Sequence, residues 1–370
     1  MSRTVFVVGA GASAESGAPV MATFLDFAYK LRRDANAKLA KREQDSFDLV
    51  FRGISALQVA HSKSELDLLN LETVFGAFEM GRLAGRLPPL TLDEVGQLNP
   101  AMRLLIVTTL EKSIRFPVVV RRAPDVGRAQ VLAPHSYRAF GELVGKIAGS
   151  DLGPVSFLTF NYDLALDYMI YARREQVDYC FDDEPQDGVP VMKLHGSVNW
   201  GRCTGCRKIT PWLLNDFFQK HDWQRDSWGD ETREVEFNLG ALLAQYEHCG
   251  GHQCEPDLVI VPPTWNKSEY GQVANVWRHA ARHLADAENV IVIGYSLPEA
   301  DQFFRYLFAL GTIGDARPQR FWVVDPDESG AVATRFQKLL GPYFESRFRV
   351  FCAPFSGGIG HVAGALKIPI

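Results

Sequence analysis

Thr4-Val-Phe-Val-Val8, followed at once by Gly9-Ala10-Gly11-Ala12-Ser13-Ala14-Glu15-Ser16-Gly17-Ala18-Pro19, decides the fold class. An apolar, β-branched run with no polar alternation reads as a parallel strand buried on both faces. Gly-Ala-Gly directly behind it reads as a tight turn into a helix. Glycines let backbone approach a diphosphate closely, and the N–H groups at a helix start can point at it. Ser13 and Ser16 add hydroxyl donors. Position 14 is Ala, so the strict G-x-G-x-x-G fingerprint is not met, and no Gly-Lys-Ser/Thr follows, which excludes a P-loop. One basic residue, a short apolar run and Ala12-Ser-Ala14 imitate a secretory leader, but Gly9 and Gly11 interrupt the run and the strand–turn reading is preferred.

Working outward, further apolar runs share this character. Val155–Phe160, Pro190–Leu194, Leu258–Val261, Asn289–Gly294 and Arg320–Asp325 read as strands, several followed by helical spacing. Six such runs predict an α/β chain: a Rossmann-like, doubly wound parallel sheet with a helical insertion and a small zinc-binding module. The expected division is a core of residues 1–30, 136–200 and 256–352, a helical insertion at 31–135, a Cys-rich module at 201–255 and a tail at 353–370. Within the insertion, Leu66, Leu69, Val74, Phe75 and Phe78 fit one helical face.

The composition narrows the function classes. Thirty-nine Lys and Arg against 44 Asp and Glu leave a formal charge of −5 over 370 residues. That balance excludes a broadly basic surface, so direct nucleic-acid binding is not expected. No apolar run approaches the ~20 residues that a membrane span requires. Six cysteines are too few for a disulfide scaffold, and the expected compartment is the cytoplasm.

Ligands of such sheets bind beyond the carboxyl ends of the strands, where the unusual residues collect. Thr159-Phe-Asn161-Tyr-Asp163 offers an amide able to orient a water or a ribose hydroxyl, and an acid that fixes a neighbour or caps the next helix. Leu194-His195-Gly196 offers an imidazole that titrates near neutrality, the best candidate base. Gly294-Tyr295-Ser296 offers another close approach and a hydroxyl. Asp325 either meets ribose hydroxyls or opens a turn with Pro326.

Cys203-Thr-Gly-Cys206 and Cys249-Gly-Gly-His-Gln-Cys254 supply two close pairs. A C-x₂-C turn places two thiolates on one tetrahedral zinc, and the second pair is looser. Cys203, Cys206, Cys249 and Cys254 are the expected ligands, with His248 or His252 able to replace one. Other features read as bland: Glu72 as a solvated helix charge, Trp212, Trp223 and Trp228 as packing of the module, Arg115–Arg122 as a ribbon or plain surface, and the Gly-rich tail from Phe355 as a segment that orders against a neighbour.

Taken together the motifs resemble the sirtuin family. Gly9–Pro19 is similar to its opening Gly-Ala-Gly-x-Ser-x-Glu-Ser-Gly-x-Pro loop, Thr159–Asp163 to its Thr-Gln-Asn-Ile-Asp motif, His195-Gly196 to its His-Gly, and Gly294–Ser296 to its late Gly-Thr/Ser-Ser. The resemblance implies NAD as substrate, held by Gly9, Ala10, Gly11, Ser13, Glu15, Ser16, Gly294, Ser296 and Asp325, with Asn161, His195 and Asp163 as catalytic residues and a structural Zn2+. The chain departs from deacylases at Val20-Met21-Ala22, at Phe160 and at Val261–Asn266, where a peptide-pairing Phe-Gly-Glu is missing. In this it resembles the sirtuin-like NAD glycohydrolases of bacterial antiviral defence. That likeness implies NAD+ cleavage to nicotinamide and ADP-ribose, and control by homo-oligomerisation, a HerA-type ATPase or another sensor subunit. The alternatives are a deacylase or ADP-ribosyltransferase, and a non-catalytic subunit that senses NAD or ADP-ribose.

Overall fold

The computed structural model describes residues 3–61, 66–122, 127–184, 186–220, 234–255, 257–261, 273–298, 301–312 and 318–369. Its centre is a seven-stranded sheet in which every neighbouring pair is parallel. The strands are β1 (Thr4–Val8), β4 (Val155–Thr159), β5 (Val177–Asp178), β6 (Val189–Lys193), β10 (Asn289–Ile293), β11 (Arg320–Asp325) and β12 (Phe348–Cys352). The order is β12-β11-β10-β1-β4-β6-β5. The chain fills one side of β1 first and then returns to fill the other, so the topological switch lies between β1 and β10.

Helices cover both faces, which is why the strands read as continuous apolar runs. Phe6 and Phe157 are partners in register and meet Phe140 of α6 (His135–Ala148), which meets Phe355 of α13 (Phe355–Leu366). One residue out of phase, Phe321 meets Phe308 of α11 (Gln302–Gly311) and Phe336 of α12 (Ala331–Leu339). Between β1 and β4 come α1 (Ala10–Ala14), α2 (Phe24–Arg33), α3 (Lys41–His61), α4 (Leu71–Leu83) and α5 (Leu92–Ser113). A ribbon of β2 (Phe116–Arg122) and β3 (Gly127–Val131) follows, with β9 (Glu234–Val235) on its edge. α7 (Ala165–Ala172) follows β4 and α10 (Ala274–Ala285) precedes β10. The Cys-rich segment carries the hairpin β7 (Trp200–Arg202) and β8 (Ile209–Pro211), then α8 (Leu214–Lys220) and α9 (Leu239–Leu242).

Four expectations need correction. Leu258–Val261 is no sheet strand: it makes an isolated antiparallel bridge, Ile260 to Gly196. The sheet gains β5 and β12 instead, too short or too mixed in pattern to stand out. Leu66 and Leu69 precede α4, whose N-terminus is set by the Asn70 side chain accepting from the N–H groups of Glu72 and Thr73, and Leu69 is exposed. The tail is core: α13 buries Phe355, Ile359 and Val362, and a Cβ on Gly358 would sit 2.1 Å from Val324 Cγ1. Gly358 alone among its glycines marks close helix–sheet packing. Trp223, Trp228 and residues 262–266 of the missing-groove segment lie outside the described residues.

Candidate active site

The strand ends are level. Val8 pairs with Thr159 on one side and Ile293 on the other, Thr159 with Lys193, and Ile293 with Val324. Gly9, Phe160, Leu194, Gly294 and Asp325 therefore form the next row, with Asn161 and His195 one residue beyond on neighbouring strands about 4.8 Å apart.

At the switch point the contact is backbone on backbone. Gly9 N–H donates to Ile293 O and Gly11 N–H to Gly294 O, both at 2.9 Å. A Cβ on Gly9 would lie 2.5 Å from Gly294 O. Gly294 has φ +62°, and a Cβ there would lie 2.2 Å from Ala12 N. Glycine is required at both positions. Ala10 opens α1. Ser13 is turned inward: its hydroxyl meets Tyr137 Oη at 2.8 Å and accepts from Asn161 Nδ2 at 3.2 Å. It supports the amide and is fully buried, so it is not a surface donor. Glu15 accepts from Ser356 N–H and Oγ and so ties the loop to the first turn of α13. Ser16 Oγ is buried with no hydrogen-bond partner among the described residues.

Asn161 is 8% exposed and its Nδ2 also donates to Gly9 O at 3.0 Å. Its Oδ1 has no partner among the described residues. One face of the amide is thus fixed by β1's loop and the other left as an acceptor. His195 is 5% exposed, with its ring 5.1 Å edge-on from Phe160 and 6.3 Å from Tyr162. Leu194 O accepts from Trp277 Nε1 and His195 O from Val261 N–H, which clamps the backbone on either side. Gly196 follows at φ +86°, where a Cβ would strike Val259 O at 2.0 Å.

Behind these two residues is a buried polar platform. Lys193 Nζ pairs with Asp167 Oδ2 at 2.9 Å, each side chain 1% exposed. The same ammonium donates to Asp163 O at 2.6 Å and Ser197 Oγ at 2.8 Å. Tyr179 donates to Asp167, and Asn199 Nδ2 to Tyr179 Oη at 2.9 Å. Asp163 Oδ1 accepts from Ala165 N–H at the start of α7. Burial pushes its carboxyl above the usual range, while Lys193 and these hydrogen bonds pull it down. Asp163 thus fixes the start of α7. Sequence reasoning passed over Lys193, Asp167 and Tyr137. The signal was there for two of them: a lysine closing an apolar strand and an aspartate inside an apolar helix both need buried partners.

An aromatic wall flanks His195. Phe160 stacks on Tyr295 at 4.3 Å and 12° and meets Phe304 edge-on. Tyr295 donates to Asp301 Oδ2 at 2.5 Å. Glu72, expected as a solvated charge, is half-buried here, and desolvation together with Asp301 raises its carboxyl to about 7. The helical insertion therefore reaches the rim of the site. Ser296 is half-buried, and its carbonyl accepts from Arg335 Nε. Asp325 takes its turn-forming role: Oδ1 accepts from Asp327 N–H at 3.0 Å, and burial raises its carboxyl.

The cysteine cluster differs from the expected set by one ligand. Cys203, Cys206, His248 and Cys249 place their donor atoms within 4.8 Å of one another. Cys203 Sγ to Cys249 Sγ and Cys206 Sγ to His248 Nδ1 are both 3.6 Å, near the ~3.8 Å edge of a tetrahedron with Zn–S bonds of about 2.3 Å. Hydrogen bonds from the Cys206 backbone chiefly lower the Cys203 thiol, to about 6. Cys254 is buried beside the cluster as a bridge partner of Cys203, and burial raises its thiol to about 11. The donors fit a small zinc-binding module. Among the described residues no helix is long and apolar enough to cross a membrane.

No protein-family model and no curated protein matches the chain. Among solved structures, the chain is similar to a Sir2 homologue mutant in complex with ADP-ribose, at 16% identity and TM-score 0.38, covering 100% of this chain and 95% of that one. It is also similar to a Sir2 homologue–NAD complex, at 14% and 0.38 over 99% and 90%, and to Sir2Tm bound to a propionylated peptide, at 14% and 0.37 over 100% and 95%.

Proposed function

We propose that the chain is an NAD+ glycohydrolase, which releases nicotinamide and ADP-ribose and serves as an NAD-depleting effector of bacterial anti-phage defence. The observation that carries this reading is the placement of Asn161 and His195 level on adjacent strands, beside a glycine-only seam and over the Lys193–Asp167 pair. Nicotinamide leaves neutral from a cationic ring nitrogen, so no strong acid is needed. Charge develops on the ribose as an oxocarbenium ion. The Asn161 Oδ1 acceptor orients the ribose or the water. His195 takes a proton from that water or from a ribose hydroxyl, water adds to the ribose carbon, and ADP-ribose leaves. Asp163 holds the geometry by fixing the start of α7.

Cys203, Cys206, His248 and Cys249 hold Zn2+ in a closed, structural sphere on this reading, since four protein donors leave no open position. Cytoplasmic location, a homo-oligomer and a HerA-type ATPase or sensor subunit as partner belong to the same proposal.

The test is release of nicotinamide and ADP-ribose from NAD+ by the purified chain, alone and with its assembly partners, with metal content measured on the same preparation. His195→Ala and Asn161→Ala are each expected to lower the rate by about 10²–10⁴. Variants as fast as the parent overturn the roles. Nicotinamide release that requires an acyl-lysine peptide would instead establish the deacylase alternative. NAD+ binding without turnover in every assembly would establish the sensing subunit.

A further inference from the structure

A second concave site lies on the far side of the helix that supports the first. A cavity of about 680 Å³ opens between β3, α6, α7 and α8, within the ~300–1,000 Å³ range of small-molecule sites. Its floor is apolar and buried, with Ala133, Gly141 and Met169. Its wall is aromatic. Tyr171 and Phe218 are half-buried, 5.3 Å apart and tilted at 44°, with Tyr168 behind both. The Tyr168 hydroxyl is already committed to Val131 O at 3.0 Å.

The charges at the mouth are unevenly matched. Arg173 is consumed: two of its three guanidinium nitrogens pair with Glu175 at 3.0 Å, and the third donates to Gly141 O. That leaves two lining arginines, Arg138 and Arg174, against one acid, Glu142. Arg138 and Arg174 are exposed and make no ion pair among the described residues. Arg174 also stands at φ +63°, a left-handed conformation that costs a non-glycine residue roughly 1–2 kcal/mol.

We propose that this cleft binds a small nucleoside phosphate. The base would lie against Tyr171 and Phe218, and the phosphate would be held by Arg138 and Arg174. Flat rings suit a π-face and guanidinium forks suit phosphate oxygens. α7 joins the two sites: Tyr168, Met169 and Tyr171 line the cleft, and Asp167 on the same helix anchors Lys193. Occupancy of the cleft therefore bears on the platform under Asn161 and His195. The binding claim does not rest on the NAD+ reading.

Calorimetry on the full chain with GMP, with guanosine and with inorganic phosphate tests it. GMP is expected to bind at least tenfold more tightly than either fragment. Arg138→Ala/Arg174→Ala is expected to weaken GMP at least tenfold, the corresponding double Lys variant less, and His195→Ala not at all. Amide exchange in residues 165–172 and 193–199 is expected to slow when GMP binds. No GMP binding at millimolar concentration, or binding kept within twofold by the double Ala variant, overturns the site. Phosphate binding as tight as GMP overturns the aromatic half, and unchanged exchange in both segments overturns the coupling.

Discussion

Two seams of the sheet, β1–β10 and β4–β6, hold the strand ends together by different means. On the β10 side the contact is backbone alone: Gly9, Gly11 and Gly294 approach within hydrogen-bonding distance, and no side chain intervenes. On the β4–β6 side the ladder continues, Leu194 N–H donating to Thr159 O, but a side-chain network is added to it, in which Lys193 joins Asp167, the Asp163 carbonyl and Ser197, and Tyr179 joins Asp167, all out of water. The first arrangement brings two turns into backbone contact and tolerates no added atom without their separating. The second braces the chain on either side of Asn161 and His195 and tolerates no lost charge. Close backbone contact is thus built from missing side chains, and the rigid corner beside it from buried polarity.

The ionic seam is the more fragile. Lys193→Met removes the cation and leaves Asp167 buried without its partner, which costs about 3–5 kcal/mol for pairs of this kind. Urea unfolding is expected to show a loss of that size, with part of it recovered by Asp167→Asn in the same chain. A loss below about 1 kcal/mol would mean that water replaces the ammonium and that the two seams differ less than the distances suggest.

The glycine seam is expected to respond more mildly in stability. Gly294→Ala places a Cβ 2.2 Å from Ala12 N at a positive φ, and strained backbone of this kind costs roughly 1–3 kcal/mol. The turns must separate, so nicotinamide release is expected to fall along with the melting temperature. An alanine variant with parental stability and activity would show that the close approach is incidental.

The smallest effect concerns the rim. Burial and Asp301 raise the Glu72 carboxyl from 4.5 to about 7. The folded state then binds the proton more tightly than the unfolded chain. The associated stability is full below pH 4.5 and is lost as pH rises through about 7. Glu72→Gln is expected to flatten that descent in melting temperature between pH 4.5 and 7, and to leave the curve below pH 4.5 unchanged. An identical slope in the variant would place Glu72 in water and detach the insertion from the site.

Much of this site is a matter of short windows. Strand runs, the Gly-Ala-Gly turn, the Asn161 and His195 positions and the Cys203/Cys206 turn are all written in a few consecutive residues, because buried strands need apolar runs and tight turns need glycine. Long-range partners carry no such mark. Nothing near Cys254 shows that His248 stands in the donor group while Cys254 lies beside it. Nothing in Leu258–Val261 tells a sheet strand from a single bridge to Gly196. The glycines of the tail look like a loop until Val324 is brought against Gly358. Local periodicity and turn chemistry, which act over a few bonds, determined the architecture and the row of residues at its strand ends. Tertiary packing decided which buried charges meet, because desolvation makes a partner obligatory without saying where along the chain it comes from.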